Sequence, residues 1–176
     1  MKSKIKTMLA ITALFAATAH AAPAPALADA TKQTPEFVGI EKWLNSEPLT
    51  MQQLRGKVVL VDFWTYTCIN CIRTLPYVKS WYEKYKDKGL VVIGVHTPEY
   101  PFERSTDNVK SAIKRFGITY PVAQDNQYAT WNAYSNRYWP AVYLTNKKGQ
   151  VVYKHFGEGS YQETEAAIKA LLAQPE

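Results

Sequence analysis

Two short, almost purely apolar runs, Lys57–Trp64 (KVVLVDFW) and Leu90–Val95, constrain this chain more than anything else in it. Runs of this length without polar alternation suit strands buried on both faces of a sheet. Between them Val78, Trp81, Tyr82 and Tyr85 recur at i, i+3, i+4 and i+7, which predicts an amphipathic helix after Cys71 that ends near Gly89. Val109, Ala112, Ile113 and Phe116 repeat the helical spacing, with Asp107 as the expected N-cap and Gly117 as the C-cap. Ala141–Thr145 and Val151–Phe156 read as two strands joined by Asn146-Lys147-Lys148-Gly149, a hairpin signal. Ser160 with Glu163 suggests a capping box ahead of a last helix carrying Ala167, Ile168, Leu171 and Leu172. Strand, helix, strand, helix, hairpin, helix is the order of an α/β domain, a mixed central sheet with helices on both faces.

At 176 residues and 47% hydrophobic content the chain can build one globular domain with a core. Charged residues at 20% and a mean hydropathy of -0.29 exclude a disordered tail and a membrane bundle. The N-terminus stands apart. Lys2, Lys4 and Lys6 precede an uncharged apolar run, Met8–Ala19, and then the small-x-small triplet Ala19-His20-Ala21. A run of about a dozen residues is too short for ~30 Å of hydrocarbon, so residues 1–21 read as a cleaved secretory signal rather than a retained anchor. No cysteine follows it to carry a lipid. Residues 22–36, rich in Ala, Pro and Thr, read as a flexible leader, and 37–176 as the domain. Cleavage removes three lysines from a net charge of +6, and the remaining excess is interleaved with acids, as in Glu83-Lys84-Tyr85-Lys86-Asp87-Lys88. That is a solvated surface, not the clustered basic stripe of a nucleic-acid face.

Cys68 and Cys71 are the chain's two cysteines, two residues apart, where a buried strand gives way to a helix. Unpaired N–H groups and the positive end of the dipole at a helix N-terminus favour a thiolate. Cys68, nearer the turn, is therefore expected to be the low-pKa nucleophile, and Cys71, further in, the group that attacks a mixed disulfide at Cys68. Other chemistries remain open on these residues. A structural disulfide closing so short a loop constrains little of the unfolded chain. Zinc wants four ligands, and the mature chain adds only His96 and His155, without finger spacing. A Cu(I) site from both cysteines and one histidine, as in a copper-handling protein, is chemically sound. A thiol peroxidase would need Cys68 to react with peroxide, and the threonine-proline setting of peroxiredoxins is absent upstream of it.

The stretch Asp62–Pro76 (DFWTYTCINCIRTLP), with His96-Thr97-Pro98-Glu99 and Arg137-Tyr138-Trp139-Pro140, resembles the thioredoxin superfamily, and within it the TlpA-like group and the thioredoxin-like domain of DipZ-type proteins. The resemblance runs from about Phe37 to Leu172. It implies a thioredoxin fold with a TlpA-like insertion, periplasmic disulfide exchange, and no cofactor or metal. Cys68 then resembles the attacking cysteine and Cys71 the resolving one. Asp62 matches the buried acid beneath the pair, and Pro76 the proline that kinks the active-site helix, with Trp64 close to the site. Pro140 matches the cis-proline beside the disulfide, preceded by Trp139, where an incoming extended peptide pairs. A carboxylate in an apolar strand is desolvated, so its pKa rises and it can trade protons with Cys71. The implied partners are disulfide-containing exported proteins and a DsbD- or DipZ-type membrane electron donor, with cytochrome c maturation or oxidative repair as purposes.

This sequence departs from general thioredoxins at Ile69-Asn70, where they carry Gly-Pro, at Thr67, where Trp often stands, and at the bulky Trp139. The intervening pair is a main lever on reduction potential, so direction is not legible. Residues 96–104 correspond to the insertion of the resembled group. His96 reads as a strand-end residue, and Tyr128, Trp131, Tyr134, Tyr138 and Trp139 as core packing more than a docking surface. Gly157-Glu158-Gly159 lacks the lysine and spacing of a phosphate loop.

Overall fold

The computed structural model describes Leu27 and residues 32–175. The signal-peptide reading of residues 1–21 lies outside the described residues, as does most of the leader. The strands are β1 (Lys42–Leu44), β2 (Val58–Trp64), β3 (Leu90–His96), β4 (Val122–Gln124), β5 (Ala141–Thr145) and β6 (Val151–Phe156). The helices are α1 (Ile69–Tyr85), α2 (Thr106–Phe116), α3 (Ala129–Ala133) and α4 (Tyr161–Leu172). They build one six-stranded sheet in the order β1-β4-β3-β2-β5-β6. The pairs β2–β3 and β3–β4 are parallel, while β1–β4, β2–β5 and β5–β6 are antiparallel. This is the mixed-sheet α/β thioredoxin-like fold.

The apolar run of β2 is buried at every position because neighbours pair with both its edges and side chains cover both its faces. Its alternate residues feed two clusters. Leu60 and Trp64 meet Leu75, Val78 and Trp81 of α1, Val109 and Ile113 of α2, and Ile168 and Leu171 of α4. Val59, Val61 and Phe63 meet Trp131 of α3, Tyr134, Tyr143 and Met51 on the other face. The three longer helices therefore share one face. Short α3 and the segment around Phe37, Ile40, Trp43, Leu49 and Leu54 close the other. The sequence reading passed over β1, β4 and α3, since elements of three to five residues are too short to establish a period.

The caps differ in detail from expectation. Ser105, not Asp107, caps α2, its Oγ accepting the Asn108 amide at 3.4 Å, while Asp107 sits in the exposed first turn. Ser160 makes no side-chain cap on α4. Its φ of 45° is left-handed, whereas a hydroxyl N-cap needs an extended backbone, so the Ser160–Glu163 box does not form. Gly117 closes α2 with φ 62°, as read from the sequence.

Within the stretch read as leader, Gln33 bridges Gln150, the buried Thr34 donates its amide to the Gly149 carbonyl at 2.9 Å, and the Glu36 carboxylate accepts the amides of Met51 and Gln52 at 2.7 and 3.1 Å. At the hairpin, Gly149 has φ 68°, and a Cβ there would lie 2.5 Å from the Arg55 guanidinium. No helix among the described residues is long and apolar enough to cross a membrane.

Candidate active site

The chain leaves β2 at Trp64, turns through Thr65–Thr67, and enters α1 with Cys68 as its N-cap in extended conformation (φ -68°, ψ 110°). Cys71 lies in the first turn, joined to Cys68 as a disulfide with Cα atoms 5.2 Å apart. The Cys71 amide donates to Cys68 Sγ at 3.1 Å, so this sulfur takes the place an N-cap oxygen usually fills. No acidic side chain occupies the first turn of α1. The turn therefore presents its dipole and amides to sulfur alone, which is what stabilises a thiolate there. Cys68 is half-buried and Cys71 is only 1% exposed. A shallow cleft of ≈ 310 Å³ opens beside Cys68, lined by Thr67, Ile69, Asn70, Glu99, Tyr100 and Trp139.

Asp62 lies mid-strand in β2, opposite Gly94 on β3 and Val142 on β5. The strand's alternation places it on the Leu60–Trp64 face, the one α1 covers with Cys71 and Leu75. It is 1% exposed, and its Oδ1 has no hydrogen-bond partner among the described residues. Desolvation pushes its pKa from 3.8 up to about 7, so the acid is poised to exchange a proton near neutrality. Tyr120, buried nearby, is raised well above its ordinary value by desolvation and by the Asp62 charge. Gly94 permits this packing, since a Cβ there would stand 3.0 Å from Trp64 Nε1 and 3.1 Å from Tyr120 Cε2.

The Trp139–Pro140 peptide is cis, and Pro140 leads directly into β5, antiparallel to β2. Trp139 is half-buried, packs against both clusters, donates Nε1–H to the Thr97 carbonyl at 3.1 Å and lies 4.2 Å from the Trp131 ring. Trp139 and Cys68 thus border one cleft, though 71 residues of sequence separate them. Pro76 sits exposed within α1, where it removes one amide from the helical ladder.

His96 ends β3 with no exposed surface, stacked on Tyr66 at 5.5 Å, its Nε2 3.3 Å from Thr65 Oγ1. Burial drives its pKa down to about 4, so it is neutral at pH 7. Among the aromatic residues, Trp131 and Tyr134 are core, Tyr128 is half-buried with its hydroxyl donating to the Pro98 carbonyl, and Tyr138 is 55% exposed, outside the core role read for it. Sequence reasoning missed Glu103, which is fully buried and accepts hydrogen bonds from the residue preceding Cys68. A lone acid within the aromatic Tyr100-Pro101-Phe102-Glu103 stretch was the available signal. Among the described residues no group of three or more His, Cys, Asp and Glu could hold a metal ion.

A family model described as Redoxin matches residues 26–172. Protein DipZ of Mycobacterium tuberculosis is 54% identical over 141 residues, covering 78% of this chain and 20% of DipZ. The chain thus spans about a fifth of the length of that relative. The thiol-disulfide oxidoreductase YkuV of Bacillus subtilis is 33% identical over 143 residues, 81% of this chain and 95% of that protein. The solution structure of a thioredoxin-like protein in its oxidised form superposes with a TM-score of 0.74 at 32% identity, covering 82% and 97% of the two chains. With a helix-capping Cys68–Cys71 pair on this fold, the chain belongs to the redoxin family as a TlpA-like member of the thioredoxin superfamily.

Proposed function

We propose that the protein reduces disulfides of exported polypeptides in the periplasm, drawing electrons from a DsbD- or DipZ-type membrane protein. One observation carries the order of events: Cys68 caps the helix at the open cleft while Cys71 is buried behind it. The Cys68 thiolate attacks one sulfur of the substrate disulfide and expels the other as a thiolate, leaving a mixed disulfide. Cys71 then loses its proton to Asp62 and attacks Cys68, releasing the substrate's second thiolate and restoring the Cys68–Cys71 disulfide. Two electrons have passed to the substrate, and the donor returns two to the enzyme. Trp139 borders the cleft, and the buried Pro140 follows it into β5, beside which an extended segment of the substrate would lie. An oxidising compartment makes the external donor necessary. Cytochrome c maturation and repair of oxidised proteins are the purposes consistent with that direction.

The test is insulin reduction by the dithiothreitol-reduced protein. Activity in the wild type and none in Cys68→Ser supports the reading, while full activity in Cys68→Ser overturns it.

A further inference from the structure

Glu103, in the 3-10 turn Pro101–Arg104, has no exposed surface, yet its carboxylate is saturated with donors. Oε1 accepts the Thr67 hydroxyl at 2.5 Å and the Thr67 amide at 3.3 Å. Oε2 accepts the amides of Glu99 and Tyr100 at 2.6 and 2.9 Å. Thirty-six residues separate Thr67 from Glu103, so this one group ties the loop after β3 to the residue immediately before Cys68. Four donors on two oxygens suit a carboxylate, which is acceptor-only with about four lone-pair sites. An amide would present one acceptor oxygen and set its NH2 against the remaining donors. Burial pushes the Glu103 carboxyl up, but the hydrogen bonds from Thr67 and from the Tyr100 and Glu99 amides outweigh it and hold it below the usual carboxylate range. A fixed negative charge therefore sits one residue from the helix-capping sulfur.

We infer that Glu103 is a positioning residue that holds the Thr65–Thr67 turn in place and biases the Cys68–Cys71 couple toward its disulfide form, making the reduced protein the stronger reductant. The inference rests on the redox reading of this pair. Reducing the disulfide takes two electrons and one proton to give a Cys68 thiolate and a Cys71 thiol. A nearby anion disfavours that thiolate, opposing the helix dipole and the Cys71 amide, which favour it. Other titratable groups around this sulfur are Glu99 and Tyr100 across the cleft, Asp62 on β2 and the neutral His96 behind Thr65.

The experiment equilibrates full-length wild type, Glu103→Gln and Thr67→Val with glutathione redox buffers, and follows Cys68 alkylation by iodoacetamide against pH. Glu103→Gln is expected to shift the equilibrium about tenfold toward the dithiol, roughly 30 mV for a two-electron couple, and to lower the Cys68 pKa. Thr67→Val removes a donor that partly neutralises the carboxylate, and is expected to shift the equilibrium the other way, about threefold. A loosened turn alone would move both variants in one direction. Shifts of the same sign, or an unchanged equilibrium in Glu103→Gln, overturn the inference. If Glu103→Gln does not fold by circular dichroism, Thr67→Val decides: a shift toward the disulfide supports the inference, and no shift or the reverse overturns it. A wild type that never equilibrates with glutathione defeats the underlying redox reading instead.

Discussion

The backbone amide of Cys71 donates to Sγ of Cys68 at 3.1 Å, so the first turn of α1 is closed by sulfur and not by oxygen. This one contact separates the two cysteines chemically. The outer sulfur receives an amide and the end of the helix dipole; the inner one receives a low-dielectric wall.

In the reduced protein the two thiols should differ in reactivity. Iodoacetamide at pH 6–7 is expected to label Cys68 at least tenfold faster than Cys71, read by mass spectrometry of peptides. Cys71→Ser is expected to accumulate a covalent adduct with insulin chains on non-reducing gels, because nothing resolves it. Equal labelling rates, or no adduct, would contradict the assignment of roles.

Asp62 links the site to stability through pH. Its pKa is about 7 folded, against 3.8 exposed, so between those values the folded chain keeps a proton that the unfolded chain has lost. Stability therefore falls as pH rises from ~4 to ~7 and levels off above. Asp62→Asn removes this penalty, with a gain of up to about 4 kcal/mol at pH 8 and almost none at pH 4. Urea unfolding at the two pH values checks it; an equal gain at both would mean that the folded carboxyl titrates normally. The same variant is expected to slow insulin turnover without altering the alkylation rate of Cys68.

Trp139 is both a packing residue and a wall of the cleft. Trp139→Ala loses the bond to the Thr97 carbonyl and the contact with Trp131. A cost of about 2–3 kcal/mol is expected for a large, half-buried ring. In the folded fraction, KM for a peptide disulfide should rise several-fold while kcat changes little. An unaltered KM would remove Trp139 from substrate contact.

Glu36 is a purely structural counterpart. Its carboxylate accepts the Met51 and Gln52 amides, and Met51 belongs to the core cluster on the face of the sheet opposite that of Cys71, so Glu36→Ala should cost about 1–2 kcal/mol. Insulin reduction is expected to be unchanged below the new melting temperature. Loss of activity in a still-folded Glu36→Ala protein would show coupling that the contacts do not suggest.

Periodicity and punctuation are properties of neighbouring residues, and they were legible. The buried runs of β2 and β3, the helical stripe Val78-Trp81-Tyr82-Tyr85, the hairpin at Asn146–Gly149 and the place of Cys68 and Cys71 at a helix entrance all follow from spacing within one turn or one strand. The caps of α2 and α4 were misread because they depend on the local backbone path. Ser105 is extended and can cap, whereas Ser160 is left-handed and cannot. Short β1 and β4 exist through their pairing with each other and, for β4, with β3; no pattern of their own announces them.

The sequence alone thus determined an α/β chain with a dithiol pair where a strand becomes a helix. Tertiary structure decided what surrounds that pair: that α1 covers the face of β2 carrying Asp62, that Trp139 borders the same cleft as Cys68, and that Glu103 grips Thr67. Local preferences act over a few residues and survive in the string of letters. Contacts between residues 36 or 71 positions apart exist only once the sheet has set its strand order and the loops have found their paths over it.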